Sequence, residues 1–259
     1  MHLEAFVSLK TLSRWARDLV DLEKSSLDGA LAHAASLASG RLLDVGCGDK
    51  PYEKLFAPHV SSYVGVEYES TYRDSANARL NRADHVYDGK TLPFPDESFD
   101  TILNTQVLEH VPDPFALFAE MVRVLAAGGR LLVTVPFAHR IHSAPYDYHR
   151  FTRFALESLA GQQGLEVQEL SSRGGFWMVM GQKFTSHLAL RAARLGRTVQ
   201  EAGGRTYEKP ESTEPRWWVL PVVAPVIVSA SLVARGLDRI DHDESDTLGY
   251  LLVARKPAR

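Results

Sequence analysis

The sequence carries a single cysteine, Cys47, in 259 residues, which excludes a disulfide framework and fits a reducing, cytoplasmic setting. It also lacks an excess of positive charge. The 29 Lys and Arg stand against 32 Asp and Glu, a formal net charge of −3, so composition gives no footprint for a nucleic-acid partner. No cleavable leader is expected, because Glu4, Lys10 and Arg14 break up the first turns and no continuous apolar core surrounds them. Internal repeats are absent. What the chain has in quantity is apolar side chains, 45% of the total, enough for one large α/β domain with an appendage.

Within that background, Arg41-Leu-Leu-Asp-Val-Gly-Cys-Gly-Asp-Lys50 is the most informative stretch. An apolar run ending in an acid and two closely spaced glycines predicts a buried strand entering a tight turn. Gly46 and Gly48 let backbone approach a ligand, and Asp49 is placed to cap a following helix. A second short strand, Tyr63-Val-Gly-Val-Glu67, puts a carboxylate 19 residues after Gly48, the reach of an acid that grips the two hydroxyls of an adenosine ribose. A dinucleotide fingerprint wants Gly or Ala at position 51, where this chain has Pro51. Proline is tolerated in a first helical turn but argues against a pyrophosphate on this turn. The expected ligand is a nucleoside.

Leu9, Leu12, Trp15, Ala16, Leu19 and Val20 recur at helical spacing and predict an amphipathic helix over 8–22, with a second over 26–38. Strands are expected at 41–46, 63–67, 84–88, 99–104, 130–136 and 165–171, and helices near 51–57, 71–80, 113–125 and 152–162. Ala127-Gly-Gly129 reads as the stop of the 113–125 helix. Regular alternation implies a parallel sheet covered on both faces. The last strand is expected in Thr247–Arg255, after an insertion that holds a helix at 176–195, a polar stretch at 197–216, and Trp217–Ala234, 18 residues without a charge between Arg216 and Arg235. The resulting organisation is a helical cap (1–38), a core (39–172), a helical insertion (173–246) and a closing strand with its tail (247–259).

These residues resemble the class I S-adenosylmethionine-dependent methyltransferases, in a type 11-like subgroup, over roughly 41–172. The landmarks are Leu43-Asp-Val-Gly-Cys-Gly48, Glu67, Leu92-Pro-Phe-Pro-Asp-Glu-Ser-Phe-Asp100, Val107-Leu-Glu-His-Val111 and Arg123-Val-Leu-Ala-Ala-Gly-Gly-Arg-Leu-Leu132, in the family's order. One departure is Lys50, where the family often has a third glycine. The resemblance implies a Rossmann-like, doubly wound, mostly parallel seven-stranded sheet, with the apolar insertion before its last strand. It implies S-adenosylmethionine as cofactor. Asp44 and the Gly46-Cys47-Gly48 turn would hold its methionine end, Glu67 its ribose, and Asp88 and Gly89 would face its adenine. Asn104, Thr105 and Gln106 would line the floor beneath the sulfonium. Asp44, Glu67, Asp88 and Asn104 all fall at carboxyl ends of expected strands, where open α/β sheets bind ligands. The Gly46-Cys-Gly-x-x-Pro-Tyr52 turn and Tyr146-Asp-Tyr-His-Arg-Phe-Thr152 resemble a bacterial subgroup linked to glycan and cell-envelope biosynthesis.

With an activated methyl supplied, the protein's tasks are alignment and, for a hydroxyl acceptor, removal of a proton. Phe137–Arg150 holds three histidines, two tyrosines, two arginines and an aspartate in fourteen residues. His139, His142 and His149 are candidate bases, with His142 slightly preferred and His149 the alternative. His139, Tyr146, Asp147, Tyr148 and Arg150 are candidate acceptor contacts, together with His110 on the helix-entry side of the pocket. A metal bound by His139, His142 and Asp147 is a weaker reading, since no further chelating carboxylate is fixed nearby by regular spacing, and no metal is expected. The favoured function is O-methylation of a small or lipid-linked metabolite. The alternative is a non-catalytic module that binds the cofactor or docks a partner.

For Trp217–Ala234 a single membrane crossing is disfavoured, because the insertion leaves and re-enters one sheet. A second crossing would need 176–195, which carries Lys183, His187, Arg191 and Arg194. Pro221 and Pro225 would kink a helix there. Three readings remain: a hairpin dipping into one leaflet at the cytoplasmic face of a membrane, a homodimer contact, or a helix packed on its own domain. Paired Trp217 and Trp218 beside Arg216 suit an interfacial anchor.

Overall fold

The computed structural model describes residues 19–69, 82–192, 196–202, 205–211 and 217–258. The expected helix at 71–80 and most of that at 8–22 lie outside the described residues. In chain order the elements are α1 (Leu22–Leu37), β1 (Arg41–Val45), α2 (Glu53–Phe56), β2 (Ser62–Tyr68), β3 (His85–Tyr87), β4 (Phe99–Thr105), a 3-10 turn (Leu108–His110), α3 (Pro114–Val124), β5 (Leu125–Pro136), α4 (Arg153–Gln162), β6 (Glu166–Ser172), α5 (Phe176–Ala192), β7 (Gly196–Ala202), β8 (Arg205–Glu211), a second 3-10 turn (Trp217–Val219), α6 (Leu220–Ile240) and β9 (Gly249–Arg255).

Seven strands form one sheet in the order β3-β2-β1-β4-β5-β9-β6. Pairing is parallel from β3 through β5, and β9 runs antiparallel to β5, with Arg130 opposite Arg255 and Pro136 opposite Gly249. This is the expected Rossmann-like sheet. The chain reverses direction of winding between β1 and β4, which opens a crevice at their carboxyl ends.

Central strands are apolar on both faces because helices cover both. Leu43, Val45, Ile102, Leu131, Val133, Val135 and Leu252 pack with Leu117, Phe118 and Met121 of α3 and Leu156 and Leu159 of α4. Leu42, Leu103 and Leu132, one position along, are fully buried on the opposite face. The helices start where their caps dictate. Asp113 accepts the N–H of Ala116 ahead of Pro114, and Thr152 accepts that of Ala155.

Three local expectations are corrected. α2 is shorter than 51–57, so Pro51 precedes it, and its N-terminal boundary is Tyr52 with no side-chain cap in place of Asp49. Ala127-Gly128-Gly129 does not terminate a helix but bulges inside β5. Phe99 pairs with Leu125 and Thr101 with Arg130, so the four residues 126–129 loop out. Gly128 takes φ +79, and a Cβ on Gly129 would lie 2.8 Å from the carbonyl oxygen of Asp100. The stretch 197–216 supplies an antiparallel hairpin, β7 with β8.

The Leu92–Asp100 landmark has a structural basis. Arg123 grips both carboxylate oxygens of Glu120 at 2.7–2.8 Å and donates to Asp96 and to the carbonyls of Leu92 and Phe94. Asp100 accepts the N–H of Arg41 at 2.7 Å, fixing the entry to β1.

The chain divides into two compact units: Gly29–Phe137 with Tyr148–Ser171 and the chain from Gly249 on; and the described residues up to Asp28 with Ala138–Asp147 and Ser172–Leu248. In the second unit α5 and α6 pack together. A Cβ on Gly181 would lie 2.5 Å from that of Ala234, so the helices approach closely there. Asp238 of α6 accepts the N–H groups of Gly175 and Met178 at the start of α5, and Gln182 accepts those of Leu22 and Glu23 at the start of α1. α6 is one continuous helix that includes Pro225. Pro221 falls in its first turn, where no intrahelical N–H is needed.

Candidate functional site

The first unit builds a ligand cradle where β1 ends. Gly46 and Cys47 both donate to the carbonyl of Val66, at 2.9 and 3.2 Å, and Lys50 donates to that of Cys47, at 2.8 Å. These bonds fold the turn back on β2. Gly46 has φ +77, and a Cβ there would meet Val107 at 2.4 Å. Gly48 has φ +51 with open space where a side chain would be, which leaves its backbone accessible to a ligand.

Glu67 stands at the end of β2 and is buried. Its Oε2 accepts the N–H of Gly48 at 2.8 Å and its Oε1 that of Tyr68 at 2.9 Å. Burial raises its pKa, opposed by those two bonds. Two backbone N–H groups use only half of a carboxylate's acceptor sites, so capacity remains for two ribose hydroxyls.

Asp44 is 3% exposed. Its Oδ2 accepts the hydroxyl of Tyr63 at 2.5 Å. Burial pushes its carboxyl up to about 7, with Glu67 adding to the rise while the Tyr63 hydrogen bond and Lys50 oppose it. Burial also pushes the Cys47 thiol up, so the one cysteine is a buried, protonated member of the turn.

On β4, Asn104 is fully buried and donates to the carbonyl of Val45 at 3.0 Å. Its Oδ1 and the Oγ1 of Thr105 are buried without a hydrogen-bond partner. Gln106 follows at φ +54, its side-chain amide 3.3 Å from the hydroxyl of Thr134. Orphaned acceptors at a strand end suit a bound donor. Asp88 is different: it is exposed and its Oδ1 accepts the N–H groups of Lys90 and Thr91 at 2.9 and 3.0 Å. Those bonds hold it below the usual carboxylate range and organise the turn at Gly89 (φ +81).

The histidine-rich segment is split between the units. In the first, the backbone N–H groups of Tyr148 and His149 donate to the carbonyl of Glu109, at 2.8 and 3.2 Å, and Arg150 donates to that of His149. The His149 ring packs beside Phe151, and its Nε2 is buried with no hydrogen-bond partner. His110 lies 3.7 Å from the fully buried carboxylate of Glu109.

In the second unit, Asp147 accepts the N–H of His142 at 2.9 Å, and its Oδ2 lies 3.3 Å from His142 Nδ1. The aspartate side chain is 2% exposed and the histidine 20%. His139 and His142 rings meet edge to face at 4.7 Å. Tyr146 is exposed, and its N–H donates to the carbonyl of Ser143. Nδ1 also lies 3.3 Å from the carbonyl of Arg140, and an acceptor carbonyl with a carboxylate beside it places the proton on Nδ1 and the ring's lone pair on Nε2.

Sequence reasoning missed Tyr63 and Asp84, and noted Lys50 only as a departure from a third glycine. Lys50 Nζ pairs with Asp84 Oδ2 at 2.5 Å and lies 5.9 Å from the Tyr63 ring centroid. A lysine at a turn and a tyrosine opening a strand carry no distinctive spacing; only the pairing across β1 and β2 shows them.

Comparisons with known proteins agree with this geometry. A family described as "Methyltransferase domain" matches residues 43–133. A Mycolicibacterium smegmatis protein named a probable S-adenosylmethionine-dependent methyltransferase is 31% identical over 175 residues, covering 66% of this chain and 65% of its own length. The 27-O-demethylrifamycin SV methyltransferase of Amycolatopsis mediterranei is 32% identical over 128 residues, covering 45% of this chain and 47% of its own length. The chain thus spans less than two thirds of these relatives. Among solved structures, the [4+2]-cyclase SpnF superposes with a TM-score of 0.50 at 20% identity, over 92% of this chain and 81% of SpnF. A candidate methyltransferase of Bacillus halodurans gives 0.51 at 18%, over 90% of this chain and all of that one. Both likenesses concern the fold alone. The seven-stranded sheet and the β1 glycine turn answered by Glu67 accompany the family match, so residues 43–133 carry a methyltransferase domain of the class I, S-adenosylmethionine-dependent type.

Proposed function

We propose that the protein transfers a methyl group from S-adenosylmethionine to a hydroxyl of a small or lipid-linked metabolite. The observation that carries the acceptor half of this reading is the His142–Asp147 pair. S-adenosylmethionine supplies a methyl already activated on a sulfonium. Asp44 and the glycine turn hold its amino-acid end, Glu67 its ribose, and Asn104 and Thr105 offer acceptors beneath it. His142 takes the hydroxyl proton on Nε2 as the oxygen attacks, and Asp147 stabilises the imidazolium that forms. The name of the rifamycin relative specifies transfer to an oxygen, which supports a hydroxyl acceptor. The Tyr146–Thr152 segment supports a substrate from glycan or cell-envelope chemistry.

Contact with the cytoplasmic face of a membrane fits the same reading. α6 is long and apolar enough to cross a bilayer by length and composition, yet it returns to the sheet that the insertion left. Trp218, Val222, Val226, Val233 and Ile240 are exposed and recur at spacings of four and seven, a single apolar face. A helix lying in one leaflet satisfies both facts and favours a lipid-linked acceptor. Incubation of purified protein with methyl-labelled S-adenosylmethionine and separated aqueous and lipid extracts tests the proposal. Label should enter a hydroxylated product; absence of transfer to any fraction, with cofactor bound, would leave a binding module.

A further inference from the structure

Lys50 stands where a third glycine is common, and the structure shows what replaces it. Its backbone takes φ +55, and its side chain, 5% exposed, turns inward to pair with Asp84, which also accepts the N–H of Gly65 at 2.8 Å. Gly65 makes the room: a Cβ there would lie 2.6 Å from both Lys50 Cε and Cys47 Sγ. The ammonium also faces the ring of Tyr63, whose hydroxyl donates to Asp44. Burial and the neighbouring Asp44 raise the Tyr63 pKa, so the phenol keeps its proton and remains the donor.

We propose that Tyr63, supported by Lys50, is a positioning residue that holds Asp44 as the anion receiving the ammonium group of the methyl donor. The inference rests on the reading that S-adenosylmethionine occupies the β1 turn. The ionisable groups around Asp44 are Tyr63 and Glu67 on β2 and Lys50 in the turn, with the protonated thiol of Cys47 beside them. Glu67 opposes ionisation, as does burial; Tyr63 and Lys50 favour it, and Asp84 fixes the lysine. Their balance leaves Asp44 titrating at about 7. Cofactor binding then displaces a proton from Asp44 to the buffer at pH values below that point. Above about pH 8 the cofactor's own α-amino group loses its charge, so affinity should rise and then fall with pH.

Tyr63→Phe removes one of the two groups that favour the anion while keeping the ring under Lys50. Calorimetric titration with S-adenosylmethionine from pH 5.5 to 9 should show the acid limb moved up by about one pH unit, a loss of about tenfold at pH 6.5, with the alkaline limb in place. 5′-Methylthioadenosine, which lacks the ammonium, should bind both proteins equally and without an acid limb. Wild-type protein should release protons on binding S-adenosylmethionine between pH 6 and 7 when titrated in buffers of different ionisation enthalpy. That measurement decides the matter even if Tyr63→Phe fails to fold. Equal loss at every pH for both ligands, or no proton release by wild type, would overturn the proposal. Failure of wild type to bind either nucleoside would instead remove the cofactor reading beneath it.

Discussion

The carboxylate of Glu67 accepts the backbone N–H of Gly48 at 2.8 Å, across 19 residues of sequence. The two signals most visible in the sequence, the glycine turn and the acid after it, are therefore bonded to each other before any ligand arrives. The bond orients Glu67 and fixes the turn, so the entropy of assembling the ribose site is spent on folding and not on binding.

Glu67→Ala should weaken S-adenosylmethionine binding by about 2–3 kcal/mol, the loss of a pair of charge-assisted hydrogen bonds. Calorimetry on a variant shown to be folded by circular dichroism checks it. Unchanged affinity would remove Glu67 from the ribose site.

Asp44 should make stability depend on pH. Its native carboxyl titrates at about 7 against an ordinary value of 3.8. Between those values the native state holds a proton that the unfolded chain has released, so stability falls as pH rises through the window. Asp44→Asn should gain about 1–2 kcal/mol at pH 8 and much less at pH 4, a part of what three pH units would represent. Urea unfolding at both pH values measures this, and a gain equal at the two would contradict it.

The sheet was legible because buried parallel strands are near-continuous apolar runs, and Leu42–Val45, Phe99–Leu103 and Leu131–Val135 stand out from their flanks. Glu67 and the turn were legible because their spacing is itself the signal. The Gly128–Gly129 bulge was not, since glycine pairs end helices and bulge strands alike, and only the partner strand β4 distinguishes the two. Nor was the β7–β8 hairpin, whose sequence lacks apolar alternation. Asp88 shows a second role that position at a strand end does not signal: its Oδ1 bonds the next turn. The tie between Tyr63 and Asp44 depends on register across β1 and β2, which composition does not encode.

His142→Ala should lower methyl transfer about 100-fold or more while leaving cofactor affinity nearly intact. Asp147→Asn should preserve the fold and shift the pH profile of kcat. Loss of cofactor binding in His142→Ala would place the loop elsewhere than at the acceptor. His149→Ala should act on KM more than on kcat, since its ring packs with Phe151 and its backbone is held by Glu109.

Membrane contact should be severed by Trp218→Ser with Val222→Glu, two side chains that are 75% and 70% exposed and whose change leaves the α5–α6 packing alone. Wild type should sediment with vesicles and be released by detergent more readily than by salt, while the variant floats free. Equal sedimentation of the two, or a dimer formed by wild type and lost in the variant, would assign the face to a different occupant.

The antiparallel strand β9 lies between β5 and β6, yet it leaves the ribosome after all of them and after the whole insertion. Until residues 249–255 emerge, β5 presents an open edge, and β6 has no strand on which to dock. A nascent chain halted anywhere in α5–α6 therefore carries the glycine turn and Glu67 in full but exposes an apolar strand border, the feature chaperones recognise and other chains copy. Only when β9 inserts between β5 and β6 is the sheet closed on that side, so folding of the core waits on a strand made after the whole insertion.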